Sequence, residues 1–459
     1  MRRLLAGTAL TVVLATGARA QQAPPTGDAP APVPTEVPAP DTAAPVAAGQ
    51  VFTPADFVRF APRNAFDMLR QVPGFSIRDS EQLRGLGQAT GNVLFNGERP
   101  SSKSDSLETL LTRIPATIVT RFEIVDGATL DLPGLSGQVA NIVYRASTTT
   151  GQFSWQPQVR AHYTKPLLTR GAASVSGRTG IVQYELGLTN DDSGRSGAGG
   201  PTLILDGTGA VIERRDDIWT SDYDSPRVSG RFTFDAWGNS VGHLNAQYGR
   251  IYSRYREDGR RFGNGLPDRL RTIRDRADEW NYEIGGDYDF GIGPGRMKLI
   301  GLRRRSHEPY AQEVVTTFAD GSPAVGDRFA QTGDIAETIA RGEYSWKLFG
   351  ADWQLSGEAA FNRLDNIAST GTLGVNGRFV NVPFPGATGG VKEDRYEALL
   401  SFSRAISPTV SLQLVGGAEQ STISQTSTKR DATWRSVVKK PARTTPANKS
   451  VSMPQIDQG

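Results

Sequence analysis

The chain has 459 residues, 37% of them hydrophobic and 22% charged, with no cysteine and a formal net charge of +3 at pH 7. Without cysteine there can be no disulfide, thiolate metal site or cysteine nucleophile. Of its 51 Lys and Arg and 48 Asp and Glu, seven and two fall in residues 428–459, leaving 44 and 46, so the basic excess belongs to a tail and the body shows no electrostatic footprint for nucleic acid.

Arg2 and Arg3 precede an apolar run from Leu4 to about Ala15, and Ala18-Arg19-Ala20 follows. This is the order of a secretory signal peptide over residues 1–20, with cleavage expected after Ala20. No later stretch reaches 18 uninterrupted apolar residues, which excludes a helical membrane protein but not a membrane barrel, whose strands are half polar. Residues 21–49 are rich in Pro and Ala and read as a disordered, extended tether.

Residues 50–148 read as a small α/β domain. Ala65, Met68, Leu69 and Val72 fall at i, i+3, i+4 and i+7 between Pro62 and Pro73, one apolar helix face. A second helix fits 106–114, with Asp105 and Glu108 resembling a capping box and Leu107, Leu110, Leu111 and Ile114 on one face before Pro115. Between them lies RGLGQATGNVLFNGERP (84–100). Its glycines miss the dinucleotide-loop spacing by one residue, and Val93-Leu94-Phe95 reads as a strand ending in the turn dipeptide Asn96-Gly97. Residues 118–125 and 138–144 read as two further strands.

After Gly151 the period becomes two and stays there, as in Trp280, Tyr282, Ile284, Gly286, Tyr288 and Phe290. Tight turns are expected at 177–180, 235–240, 291–295, 349–352 and 405–409, alternating with polar loops of roughly 25–40 residues. Short turns at one end of the strands and long loops at the other are the layout of a transmembrane antiparallel β-barrel, with aromatic residues such as Trp346 and Trp353 gathered at strand ends. The expected fold class is therefore mainly β: a partial barrel of about eleven strands over 149–424, carrying an N-terminal α/β domain. After about Ser424 the alternation stops, and 425–459 reads as an aperiodic basic tail, with the reading frame altered near 424–428 as the simplest explanation.

The segments DMLRQVPGFSI (67–77), Arg84-Gly85, VLFNGERP (93–100), IPATIVTRFEIVDGA (114–128) and GLSGQVANIVYR (134–145) together resemble the plug domain of TonB-dependent outer-membrane receptors and transporters. Asp126-Gly127-Ala128 stands where that family usually has Arg-Gly-Pro, and Ser136-Gly137-Gln138 replaces a Gly-Gly-rich approach to the last plug strand. The resemblance implies a 22-stranded barrel closed by a plug, uptake of a scarce solute (siderophore, metal chelate, vitamin or oligosaccharide), an outer-membrane location, and an inner-membrane TonB-type partner. It gives as plug-motif residues Arg84, Gly85, Gly87, Asn96, Gly97, Glu123, Asp126, Gly127, Gly137 and Asn141. Of these Arg84, Glu123 and Asp126 are expected in plug-to-wall contacts. Gln50-Val51-Phe52-Thr53 is the candidate energy-coupling segment.

Residues 250–276 hold nine arginines against four acids. Arg254, Arg256, Arg260, Arg261, Arg269 and Arg271 therefore form a candidate external loop for an anionic ligand, with lipopolysaccharide phosphate or plain solvation as the other readings. Membrane lipid and lipopolysaccharide are the expected surroundings. No cofactor, metal or enzymatic activity is expected: His162, His243 and His307 lack metal-ligand spacing, and neither a nucleophile elbow nor a Walker loop is present. A ligand sensor that only signals, and a non-functional product, are the competing readings.

Overall fold

The computed structural model describes residues 49–78, 91–97, 106–127, 130, 137–145, 149–160, 162–384, 386–407, 410–427 and 432–440. The expected signal peptide (1–20), nearly all of the expected tether (21–49), Arg84, Gly85, Gly87 and residues 441–459 lie outside them. No described helix is long and apolar enough to cross a membrane.

The α/β domain opens with β1 (Gln50–Phe52) and α1 (Pro54–Phe57), whose start is held by the Asp56 carboxylate accepting from Thr53 N at 2.7 Å. Next comes α2 (Ala65–Leu69), capped by Asn64 Oδ1 on Asp67 N. It is shorter than the apolar spacing predicts, but Val72 still reaches the core through the turn that follows. Then come β2 (Val93–Phe95), α3 (Leu107–Thr112), β3 (Val119–Asp126) and β4 (Gln138–Tyr144). The cap of α3 is Ser106, whose Oγ accepts from Thr109 N at 3.1 Å; it takes the place expected of Asp105. The four strands pair in the order β1-β3-β4-β2, with β2 parallel to β4 and the other pairs antiparallel. Met68, Leu69, Leu110, Leu111, Ile114, Phe122, Ile124 and Ile142 fill the space between this sheet and the helices.

The second sheet has 15 antiparallel strands. These are β5 (Thr150–Trp155), β6 (Gly171–Thr179), β7 (Val182–Thr189), β8 (Gly194–Leu205), β9 (Val211–Asp224), β10 (Arg227–Ala236), β11 (Ser240–Gly263), β12 (Leu266–Ile292), β13 (Gly295–Phe318), β14 (Val325–Leu348), β15 (Ala351–Leu373), β16 (Phe379–Val382), β17 (Thr388–Ser407), β18 (Val410–Ser427) and β19 (Ala432–Lys440). Twelve follow one another from β5 to β19, while β8, β9 and β16 pair off that path. The two end strands do not pair with each other, so the sheet is a partial barrel.

Three expectations are corrected here. The strands outnumber the eleven read from the sequence. The region after Ser424 is not all tail: β18 runs to Ser427 and β19 pairs with it from Gln425↔Ala432 to Gly417↔Lys440. And the long polar loops are largely strand. β11 and β12 are 24 and 27 residues long and are joined only by Asn264-Gly265, both at positive φ (62° and 66°), the conformation a two-residue hairpin turn requires. At ~3.3 Å per residue such strands run for ~80–90 Å, far beyond the ~10 residues a bilayer needs.

Candidate functional site

Glu123 and Asn141 lie opposite each other on β3 and β4. Asn141 Nδ2 donates to Glu123 Oε2 at 2.7 Å, Arg121 Nε donates to Glu123 Oε1 at 2.6 Å, and Gly97 N donates to Asn141 Oδ1 at 2.7 Å. Asn96 Oδ1 accepts from Tyr144 N at 3.0 Å. Asn96 and Gly97 both have positive φ (51° and 87°), so the turn after β2 is locked onto β4 by side chain and backbone together. The turn leads from β2 toward α3 and not, among the described residues, into a second strand. Partial burial would raise the Glu123 pKa, but the Asn141 and Arg121 hydrogen bonds and the Arg121 charge outweigh it and hold the carboxyl below its ordinary value. Glu123 is thus held by Asn141 and Arg121 inside the domain.

The contact with the large sheet is made by other residues. Arg231 of β10 lies over the Phe95 ring, 5.2 Å from its centroid, and bonds the Tyr144 hydroxyl. Burial pushes the Tyr144 pKa up, with Arg231 opposing and Glu185 of β7 adding to the rise. Arg113, the C-cap of α3, is itself buried and lines a small cavity with Gln247 of β11 and Glu283 of β12. Gln152 of β5 donates to Arg63 O at 3.2 Å. Beside this seam is a cleft of about 650 Å³ between Arg121, Tyr144 and Arg145 on one side and Arg178, Arg231 and His243 on the other. Arg178 is ion-paired with Asp235.

Asp126 pairs in register with Gln138, and Gly127 N donates to Gly137 O at 2.7 Å, closing the β3–β4 connection. Gln50, Val51 and Phe52 form β1, an edge strand paired to Ile124, Glu123 and Phe122. Arg113, Tyr144 and Arg231 were missed by sequence reasoning. Tyr144 ends a legible strand, but nothing local marks Arg113 or Arg231 as its partners in one seam.

The large sheet is polar within and apolar without. On its inner face Arg395 of β17 bonds Glu358 of β15 at 2.5 Å and Glu397 at 3.4 Å, and Arg341 and Arg304 of β14 and β13 pair with Glu343 and Glu337. On the alternate positions Leu244, Ile284, Leu299, Leu355 and Leu400 are exposed. Aromatic side chains bound this apolar band. Tyr288 and Phe290, and Tyr344, Trp346 and Trp353, stack near the tight turns, with Phe402 edge-on to Trp353, and Trp280, Tyr282 and His307 stack near the other edge. From Phe290 to Trp280 is ten residues, ~33 Å along the strand and ~25 Å across if tilted ~40°, the height of a membrane band. Arg303 stands on the outer face opposite Ile284, inside this band, donating to Thr338 Oγ1 at 2.8 Å.

The six arginines of the candidate loop sit on β11 and β12, beyond the Trp280 belt, and are not in a loop. Arg254 pairs with Asp278, Arg271 with Glu257 and Arg269 with Glu213. Among the described residues no cluster of metal-ligating side chains occurs.

The fold and its seam define a class: an open antiparallel barrel sheet, apolar outside and polar inside, with an α/β domain against its inner face. No protein-family model and no curated protein matches the sequence. Among solved structures the chain is similar to the ferric yersiniabactin uptake receptor FyuA from Yersinia pestis, at 11% identity over 88% of this chain and 79% of that one, with a TM-score of 0.25. It is similar also to the unliganded ferric citrate transporter FecA (10% identity, 82% and 74% covered, TM-score 0.26) and the copper transporter OprC (11%, 84% and 73%, 0.26).

Proposed function

We propose that the protein is a plugged outer-membrane receptor of the TonB-dependent kind, binding a scarce extracellular solute and admitting it through the barrel lumen, without enzymatic chemistry. The observation that carries this reading is the seam: a domain with its own apolar core rests through Arg113, Tyr144 and Arg231 on the polar inner face of a sheet whose outer face is apolar between two aromatic belts. Polar contacts suit a plug that must move, because water can replace them when they part, whereas a fused apolar core would hold it fast. The order of plug-like segments supports the same reading. So does β1, the end strand of its sheet, whose backbone is of the kind a partner strand can add to.

Fractionation and permeability test the proposal. The full chain is expected in the outer membrane, resistant to alkaline extraction. Deleting 50–148 is expected to make cells sensitive to an antibiotic normally too large to enter. Recovery as a soluble periplasmic protein would overturn the reading, and so would unchanged sensitivity with the shortened chain in the outer membrane.

A further inference from the structure

Beyond the upper aromatic belt, β9, β11 and β12 continue side by side, and their register places three arginines in one row. Arg261 of β11 lies directly opposite Arg215 of β9 and directly opposite Arg269 of β12. Arg261 occupies the same alternation on β11 as His243 and Gln247, so the row continues the inner face of the sheet, while Arg256 and Arg260 point to the other. Directly opposed strand residues stand ~4.5–5.5 Å apart, and like charges at that distance repel. A row of three therefore needs negative charge to be stable.

The chain supplies only part of it. One carboxylate oxygen, Oε1 of Glu213, serves both flanks, accepting from Arg215 Nε at 2.8 Å and lying 3.2 Å from Arg269 Nη2. Arg271, next along the same face, is 3.3 Å from Glu257. The buried Nε of the central Arg261 has no hydrogen-bond partner among the described residues; Asp217 and Glu213 act on it through their charge, against its burial and the like charges of Arg271 and Arg215. An orphaned guanidinium nitrogen flanked by two further cations costs stability unless a ligand oxygen completes it.

We propose that Arg215, Arg261 and Arg269 form a binding site for a soluble polyanion, one carrying at least two carboxylate or phosphate groups. Two acidic groups match the geometry: planar guanidinium forks on adjacent strands each engage one oxyanion, and a monoanion leaves part of the row unanswered. The site rests on the receptor reading for its role, as the class of solute captured, but not for its existence.

The test uses the full chain in detergent, titrated calorimetrically with sodium tripolyphosphate and with citrate. Wild type is expected to bind at least one of them, and Arg261→Gln to weaken binding by about tenfold or more, the loss of one charge-assisted bond. Arg256→Gln, on the opposite face, is expected to bind as wild type does. Bound anion is expected to raise the melting temperature of wild type and not of Arg261→Gln. If that variant fails to fold, Arg215→Gln and Arg261→Lys, which keeps the charge and loses the fork, give the same comparison. Equal binding by wild type and the row variants overturns the proposal, as does equal loss in Arg256→Gln, or binding only to phosphatidic acid vesicles. Solute uptake is scored separately: a chain that binds but does not import sinks the receptor reading alone, and one that enters the outer membrane but binds neither anion sinks this site alone.

Discussion

The α/β domain and the large sheet bury opposite kinds of residue. In the domain Phe122, Ile124, Ile142, Leu69 and Leu111 are fully enclosed, and the buried Arg113 sits at the seam with the sheet. In the sheet the enclosed side chains include Glu283, Glu337, Glu358 and Arg395, while Leu244, Leu299, Leu355 and Leu400 are exposed on the other face. One chain cannot satisfy both patterns in one solvent. The domain is built for water on its outside, and the sheet for hydrocarbon outside and a wet lumen within.

The largest effect that would sharpen this contrast is in the domain core. Phe122→Ala is expected to cost about 3–5 kcal/mol through the cavity it leaves, read as faster proteolysis within residues 50–145 while the sheet stays intact. On the sheet, Leu244→Arg puts a charge near the middle of the apolar band and is expected to cost ~2–4 kcal/mol in folding titrations with lipid vesicles. A water-facing position would show almost no loss, and that result would break the contrast.

Smaller effects probe the domain's polar rim. Asn141→Ala removes both the donor to Glu123 and the acceptor for Gly97 N, at an expected ~1–3 kcal/mol in the same proteolysis assay. The smallest effect is that of pH. Because the native Glu123 pKa lies below its ordinary value of 4.5, its contribution is fully present above that pH and fades as the pH falls toward the native value. Glu123 is partly exposed, so the slope is expected to be shallow, and Glu123→Gln should remove it. A wild-type domain whose stability is flat from neutral pH to pH 3 would contradict the hydrogen-bond geometry.

Much of the architecture was legible because it rests on spacing. Leu107, Leu110, Leu111 and Ile114 mark a helix face, Gln138–Tyr144 a strand, and Gly293 and Gly350 sit in tight turns, all through local rules. The outward reach of β11 to β15 was not, because beyond the belts both faces meet water and the hydropathy alternation fades although backbone pairing continues. The strand at 432–440 was hidden for a similar reason: ATWRSVVKK carries no clean two-residue period. The seam was illegible since Arg113 and Arg231 are 118 residues apart in sequence and meet only through topology. The arginine row was visible as composition, yet only the register of three strands sets Arg215, Arg261 and Arg269 abreast.

The Asn264-Gly265 turn has a consequence for capture at a distance. A long floppy loop must be ordered each time it closes on a solute, which costs ~0.5–1.5 kcal/mol for each side chain immobilised, besides backbone entropy. Here the strands remain paired through Arg261↔Arg269, just short of their tip, so most of that ordering is complete when the chain folds. A solute meeting these arginines finds them already aligned, and its affinity is set by charge and fit with little left to lose in freedom.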